Sequence, residues 1–267
     1  MGLVTLFWGF EEKLAKFTVS TGGFPSWIDL LTTSIDSSRS FYKSVLGWDS
    51  TEPIEQFGGY FNFLYGGGMI AGGMSAPASN PSSANSWTIY LGVEDAASTV
   101  SKVEEFGGVV HHGVTDVATL GKMAIVGDPS GASIGIWQPG DHKGFSVFDE
   151  NGAPGYFELH TKDFSRAIAF YEAVFGISTN VVGDSDDFRY RTAGIDGSTS
   201  MGFFDAARSN DDQPSRWYWY ARVNDCDETA DKIRGNGGSL VMEPTPTPYG
   251  KMAVARDSTG SIFRVVS

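Results

Sequence analysis

The chain contains one cysteine, Cys226, in 267 residues. That excludes an intrachain disulfide and any cysteine-built zinc cluster. Basic residues are scarce: 19 Lys and Arg stand against 32 Asp and Glu, giving a formal net charge of −13. Such a surface repels phosphate backbones and anionic headgroups, so nucleic acid and membranes are not expected partners. No apolar run is long enough to span a bilayer. The stretch from Leu3 to Phe10 is short, lacks a basic leader and is followed by Glu11 and Glu12. It does not read as a signal peptide, and a cytoplasmic location is expected. No phosphate loop, nucleophile elbow or dinucleotide fingerprint is present. The glycines before Met69 have neither a following Lys-Ser/Thr nor a strand–helix setting.

Glycine and phenylalanine are plentiful, at 34 and 19 residues, which predicts many turns and a β-rich core. The chain also repeats itself. The segment Trp27–Asp49 corresponds to Tyr156–Ser178, with Phe41-Tyr42 and Phe170-Tyr171 lying 129 positions apart. Further on, Trp87–Tyr90 matches Trp217–Tyr220, Gly121–Ala124 matches Gly250–Ala253, and Asp128–Gly131 matches Asp257–Gly260. This divides the chain into an N-terminal extension (1–22), a first domain (23–138), a linker rich in Gly and Asp (139–153) and a second domain (154–267). Each half predicts a short alternating strand, an amphipathic helix ending at Gly47 or Gly176, glycine-broken strands, and then a second strand–helix–strands unit. The fold class is α+β, with four β-α-β-β-β modules.

The stretches "SFYKSVLGW" and "AFYEAVFGI", "GVEDAASTVSKVEEFGG" and "VNDCDETADKIRGNGG", and "DPSGASIGIW" and "DSTGSIFRV" resemble the glyoxalase / bleomycin-resistance / extradiol dioxygenase (vicinal oxygen chelate) superfamily over nearly all of residues 25–267. The tandem layout, with "GKMA" before the last strands, resembles two-domain actinobacterial glyoxalase-like proteins often labelled hydroxylases. The resemblance implies tandem glyoxalase-like domains whose modules form curved, barrel-like sheets around a cavity. It also implies where a divalent metal would be held in metalloenzyme members. Those positions here carry Trp27 and Tyr156, Thr88 and Tyr218, and Gly135 and Arg264, while Gly66–Asn80 and Gly197–Phe204 contain no Asp, Glu, His or Cys. Such residues do not make a divalent-ion site, and Arg264 opposes one. No metal and no cofactor are therefore expected.

Strand alternation places Trp27 and Asp29 on one face of the first strand, and Tyr156, Glu158 and His160 on the matching face of its repeat. By the same phase Tyr90, Tyr218 and Tyr220 also point into the cavity. The expected pocket is aromatic, with one carboxylate per half. Asp29 and Glu158 are the candidate acid–base residues, because a carboxyl in an apolar cavity has a raised pKa. The bland alternative is that each accepts structural hydrogen bonds, for instance from Arg264. His160 is a third catalytic candidate, or a satisfied inner histidine. Trp27, Tyr90, Tyr156, Tyr218, Tyr220 and Arg264 are candidate ligand contacts. Lys122 and Lys251, which recur at one repeat position, are candidates to grip an acidic ligand, or are solvated turn lysines. His111 and His112 are adjacent, so a strand would aim them to opposite faces, and they read as surface. Cys226 opens a helix beside acids, which does not activate a thiol. Trp137, Trp217 and Trp219 fall in outer-face phases and read as core.

The function these residues favour is metal-independent binding or sequestration of a hydrophobic or aromatic metabolite by a monomer or homodimer. A cofactor-free isomerase, cyclase or hydrolase using Asp29 or Glu158 is the alternative. A divalent-metal lyase or dioxygenase comes second to that.

Overall fold

The computed structural model describes residues 21–77, 84–194, 199–209 and 213–267. The N-terminal extension before residue 21 lies outside the described residues. The first half runs β1 (Gly22–Thr32), α1 (Ile35–Leu46), β2 (Asp49–Ser50), β3 (Phe61–Tyr65), β4 (Gly68–Ser75), β5 (Ser86–Val93), α2 (Ala96–Val103), β6 (Val109–Val117), β7 (Gly121–Gly127) and β8 (Ser133–Pro139). The second half repeats it: β9 (Pro154–Thr161), α3 (Phe164–Phe175), β10 (Asn180–Asp184), β11 (Arg189–Ala193), β12 (Met201–Asp205), β13 (Arg216–Arg222), α4 (Cys226–Gly235), β14 (Ser239–Thr247), β15 (Gly250–Arg256) and β16 (Ile262–Val266).

Each half forms one eight-stranded sheet. The orders, β2-β3-β4-β1-β5-β8-β7-β6 and β10-β11-β12-β9-β13-β16-β15-β14, are the same arrangement twice. The modules pair within a domain: β1 runs antiparallel to β5, and β9 to β13. The curved sheets stay open, each ending in two free edge strands rather than closing on itself.

The helices begin and end where the local chemistry requires. Ser34, Asp95 and Asp225 accept hydrogen bonds from the first helical N–H groups of α1, α2 and α4. Gly47 and Gly176 close α1 and α3 in the left-handed region, at φ 77° and 71°, which glycine enters without a Cβ clash. The all-apolar strand faces pack on the helices: Ile28, Leu30, Phe157 and Leu159 are fully buried there. Each such side chain contributes roughly 1.5–3 kcal/mol of burial free energy.

The two domains are joined reciprocally. Tyr42 of α1 donates to Asp257 Oδ2 of the second domain at 3.0 Å, and Tyr171 of α3 donates to Asp128 Oδ2 of the first at 3.1 Å. Each tyrosine hydroxyl also accepts an indole N–H, from Trp87 (3.1 Å) and Trp217 (2.8 Å) respectively. Each aspartate uses its other oxygen to brace its own turn, accepting from Ser130 and Ala132 in one case and Thr259 and Ser261 in the other. Trp48, Trp87, Trp219 and Phe263 fill the seam beside Tyr42.

The connection between domains is packed rather than free. Phe145 and Val147 are buried, Phe145 N–H donates to Ser26 O, and the Phe145 ring lies 5.9 Å from that of Phe157. Its Gly and Asp content shapes turns around those two apolar anchors.

Candidate functional site

On the concave face of the first sheet, Asp29 pairs in register with Gly72 of β4 on one side and Thr88 of β5 on the other. Its Oδ1 accepts from Tyr60 Oη at 2.8 Å and from Trp27 Nε1 at 3.0 Å, and Tyr90 supplies a further phenolic hydrogen bond. Trp27 Nε1 also reaches Tyr60 Oη at 3.0 Å. No cation faces this carboxyl among these contacts. Burial raises its pKa, and the three neutral donors only partly offset that. The same burial, with the neighbouring Asp29 charge, holds the Tyr60 and Tyr90 phenols well above their ordinary value, so both remain donors.

The second sheet answers the same position differently. Glu158 pairs with Gly202 and Tyr218. Its Oε1 accepts from Tyr190 Oη at 2.7 Å, and its Oε2 from Tyr220 Oη at 2.5 Å and Arg264 Nη1 at 2.9 Å. His160 Nε2 lies 2.7 Å from Oε2, and Tyr190 Oη lies 2.8 Å from Tyr156 Oη. The Arg264 guanidinium sits 3.9 Å from the Tyr218 ring centre and also contacts Tyr220. Burial pushes the Glu158 carboxyl up, but the His160 hydrogen bond and the Arg264 charge outweigh it and hold the pKa down at about 2. A raised value was expected for Glu158. The first-half counterparts of His160 and Arg264 are Leu31 and Gly135, and those two differences give the two carboxylates opposite character.

Glycines make this packing possible. A Cβ on Gly72 would overlap the Tyr60 hydroxyl and Asp29 Oδ1, and one on Gly135 would overlap the Tyr90 ring. A Cβ on Gly202 would collide with the Tyr190 and Tyr156 hydroxyls. The tyrosines thus lie over bare backbone.

A cavity of about 1270 Å³ opens on the first-domain side. Asp29, Leu31, Thr88, Tyr90, Met123 and Ile125 line its concave end. It continues past the seam tryptophans Trp87, Trp217 and Trp219 to Arg216, Tyr218 and Arg256 of the second domain. Of the residues singled out in the sequence, Asp29, Tyr90 and Tyr218 reach this wall. Trp27 does not: His142 packs edge-on at 4.4 Å and Phe145 at 5.7 Å, and its part is to orient Asp29. Glu158, His160, Tyr156, Tyr220 and Arg264 form the second-domain knot and are not among the cavity-lining residues. Lys122 lies 3.7 Å from Asp116, and Lys251 is paired with Asp227; neither lines the cavity.

Three placements add to or depart from strand phase. His111 and His112 are exposed, as expected of surface residues, yet both also line the cavity, because β6 shifts register between Val110 and His112 and breaks the alternation. Trp137 pairs with the cavity-lining Met123 and so belongs to the inner face, where its indole donates to His142 O. Trp217 and Trp219 are core, yet they also border the cavity at the seam. Cys226 is buried, and burial beside Asp227 pushes its thiol up to about 11. Tyr60 and Tyr190 were missed because each precedes or opens a glycine-rich stretch. The signal was there: each stands twelve residues before its strand glycine, Gly72 or Gly202.

Among the described residues, no group of three or more His, Cys, Asp and Glu side chains could hold a metal ion. The inner-face carboxyl groups are a phenol-caged one in the first sheet and, beside His160, an arginine-bound one in the second, and the cavity histidines His111 and His112 join neither in such a group. Neither fits a divalent cation.

Tandem β-α-β-β-β modules, paired so that each half builds one curved eight-stranded sheet, define the fold class. The chain belongs to the Glyoxalase/Bleomycin resistance protein/Dioxygenase superfamily, whose model matches residues 25–136 and again 153–265. It is 32% identical over 248 residues to the putative glyoxylase CFP32 of Mycobacterium tuberculosis, covering 91% of this chain and 94% of that protein. It is 31% identical over 261 residues to the anthracycline biosynthesis protein DnrV of Streptomyces peucetius, covering 91% and 93%. Among solved structures, a Mn(II)-bound glyoxalase from Novosphingobium aromaticivorans superposes with a TM-score of 0.63 at 13% identity, covering 91% of this chain and 81% of that one. The 2,3-dioxygenase LapB from Pseudomonas sp. KL28 gives 0.62 at 13%, covering 92% and 93%. At that identity the likeness is one of fold. Among the described residues, no helix is long and apolar enough to cross a membrane.

Proposed function

We propose that this chain binds a hydrophobic or aromatic small molecule without a metal, in the concave face of its first domain. The observation that carries this reading is Asp29: a carboxyl on a cavity wall, gripped by phenol and indole donors and lacking a cationic partner. It gives an apolar pocket one orienting polar group, the usual composition of a ligand site. Met74 and Met123 beside Trp87 offer an adaptable surface for flat rings. The relative named for anthracycline biosynthesis supports a multi-ring aromatic ligand class.

Native mass spectrometry of the protein before and after incubation with a small-molecule extract tests the proposal. A retained compound of unchanged mass supports sequestration. Recovery of no compound from repeated extracts contradicts it.

One observation favours a second reading. The raised pKa of Asp29 suits proton transfer, so the same cavity serves a cofactor-free isomerase, cyclase or hydrolase with Asp29 as the acid–base group. A compound returned with altered mass, and an Asp29→Asn variant that binds it but no longer converts it, selects that reading. Glu158 drops out of either scheme, because its neighbours hold it ionised.

A further inference from the structure

We infer that the second-domain end of the cavity is an anion subsite, and that the ligand is a planar aromatic acid whose carboxylate is held by Arg216 and Arg256. The inference rests on the pocket proposed above and names the chemistry of what fills it.

The chain has ten arginines. Eight of them (Arg39, Arg166, Arg189, Arg191, Arg208, Arg222, Arg234 and Arg264) pair with a carboxylate. Among the described residues Arg216 and Arg256 do not. Arg216 donates to the Pro214 carbonyl (3.4 Å) and Gln213 Oε1 (3.2 Å), and Arg256 to the Gly260 carbonyl (3.2 Å). In a protein with 32 acidic residues, having no carboxylate partner among the described residues is a local exception, and both stand on the wall of the same cavity.

They converge by topology. Arg216 opens β13 and Arg256 closes β15, the two strands that flank β16, and Arg256 pairs in register with Ile262 at the start of β16. Arg216 is half-buried, and Trp217 and Ile262 line the cavity beside it. A guanidinium fork matches a carboxylate in two hydrogen bonds, and its planar face stacks on aromatic rings. An acid carried on a flat apolar frame satisfies both the charge and the walls. The first-half counterparts, Ser86 and Gly127, are uncharged, so the repeat did not impose the pair.

The probes are 3-hydroxy-2-naphthoate and 2-naphthol, which share a ring system and differ by the carboxylate. Each is titrated calorimetrically into wild type, Arg216→Gln, Arg256→Gln and the double variant, with melting temperatures recorded as a check on folding. A charge-assisted hydrogen bond made in a partly desolvated site predicts that wild type prefers the naphthoate by about tenfold or more. The expected result is that each single variant loses several-fold, the double variant loses the preference, added salt weakens the naphthoate alone, and 2-naphthol is unaffected throughout. Equal affinity for the two probes in wild type, or a preference that survives in the folded double variant, overturns the anion subsite and leaves the aromatic pocket standing. Failure of both probes to bind wild type overturns the pocket as well.

Discussion

Asp29 and Glu158 occupy one repeat position, yet their pH behaviour should be opposite. Burial raises the folded-state pKa of Asp29 above its ordinary 3.8. Its contribution to stability is therefore complete below that value and is lost as pH rises through the raised value. Asp29→Asn should then match wild type in melting temperature near pH 4 and exceed it increasingly toward neutral pH. Glu158 has a folded pKa of about 2 against an ordinary 4.5. Its contribution is complete above about 4.5 and fades as pH falls toward about 2. The loss of stability on acidification across that window should be shallower in Glu158→Gln than in wild type.

The Arg264 pairing supplies a second residue-level prediction. Arg264→Met strands a buried carboxylate and should cost about 3–5 kcal/mol in chemical denaturation, because an uncompensated buried charge is worse than an absent pair. Adding Glu158→Gln to that variant should restore most of the loss. Equal destabilisation by the single and double changes would show that Arg264 acts by packing on Tyr218 rather than through its charge.

Between elements, the inner face is built by glycines on β4, β8 and β12 that admit tyrosines from neighbouring strands and loops. Gly72→Ala should push the Tyr60 hydroxyl off Asp29, cost about 1–3 kcal/mol by overpacking, and weaken ligand binding. Gly66→Ala serves as the control, since a Cβ there meets nothing within 4 Å, though its φ of 58° adds backbone strain of its own. A Gly72→Ala variant with unchanged binding would disconnect the cage from the site.

The elements themselves were legible in the sequence because periodicity, capping residues and duplication all pointed one way. The four helices fall where the strand–helix–strands order places them, and the glycine stops of α1 and α3 are where expected. The site was legible only where regular strand phase held. Asp29, Tyr90 and Tyr218 follow from alternation. His111 and His112 do not, because a bulge in β6 sets their direction. Tyr60 precedes β3, outside any strand phase. The charge contrast between Asp29 and Glu158 depends on His160 and on Arg264 of β16 reaching across β13, and no local pattern encodes that long-range contact.

At the scale of the molecule, the "FY" and "DPSG/DSTG" motifs turn out to be the two ends of one device. Each domain's tyrosine is held by the other domain's turn aspartate. Tyr42→Phe or Tyr171→Phe removes two buried hydrogen bonds, the one donated across the seam and the indole N–H accepted beside it, at about 2–3 kcal/mol together, or a fall in melting temperature of roughly 4–12 °C for a chain of this size. The reciprocal latch also predicts that calorimetry shows both domains unfolding in one transition. Two resolved transitions in wild type would mean that the seam does not couple them. The seam also borders the proposed site, since Trp87 and Trp217 belong both to the latch and to the cavity wall.

The central claim is that this fold, whose neighbours include a Mn(II)-bound glyoxalase, here binds its ligand by phenols, indoles and a lone carboxyl. The most direct test is native mass spectrometry of the extract-incubated protein, measured after exhaustive chelation and again after addition of Mn(II). The account predicts the same retained organic mass in both samples, no stoichiometric metal adduct, and loss of retention in Gly72→Ala. A ligand retained only when Mn(II) is present, in a complex carrying one metal per chain, would contradict it.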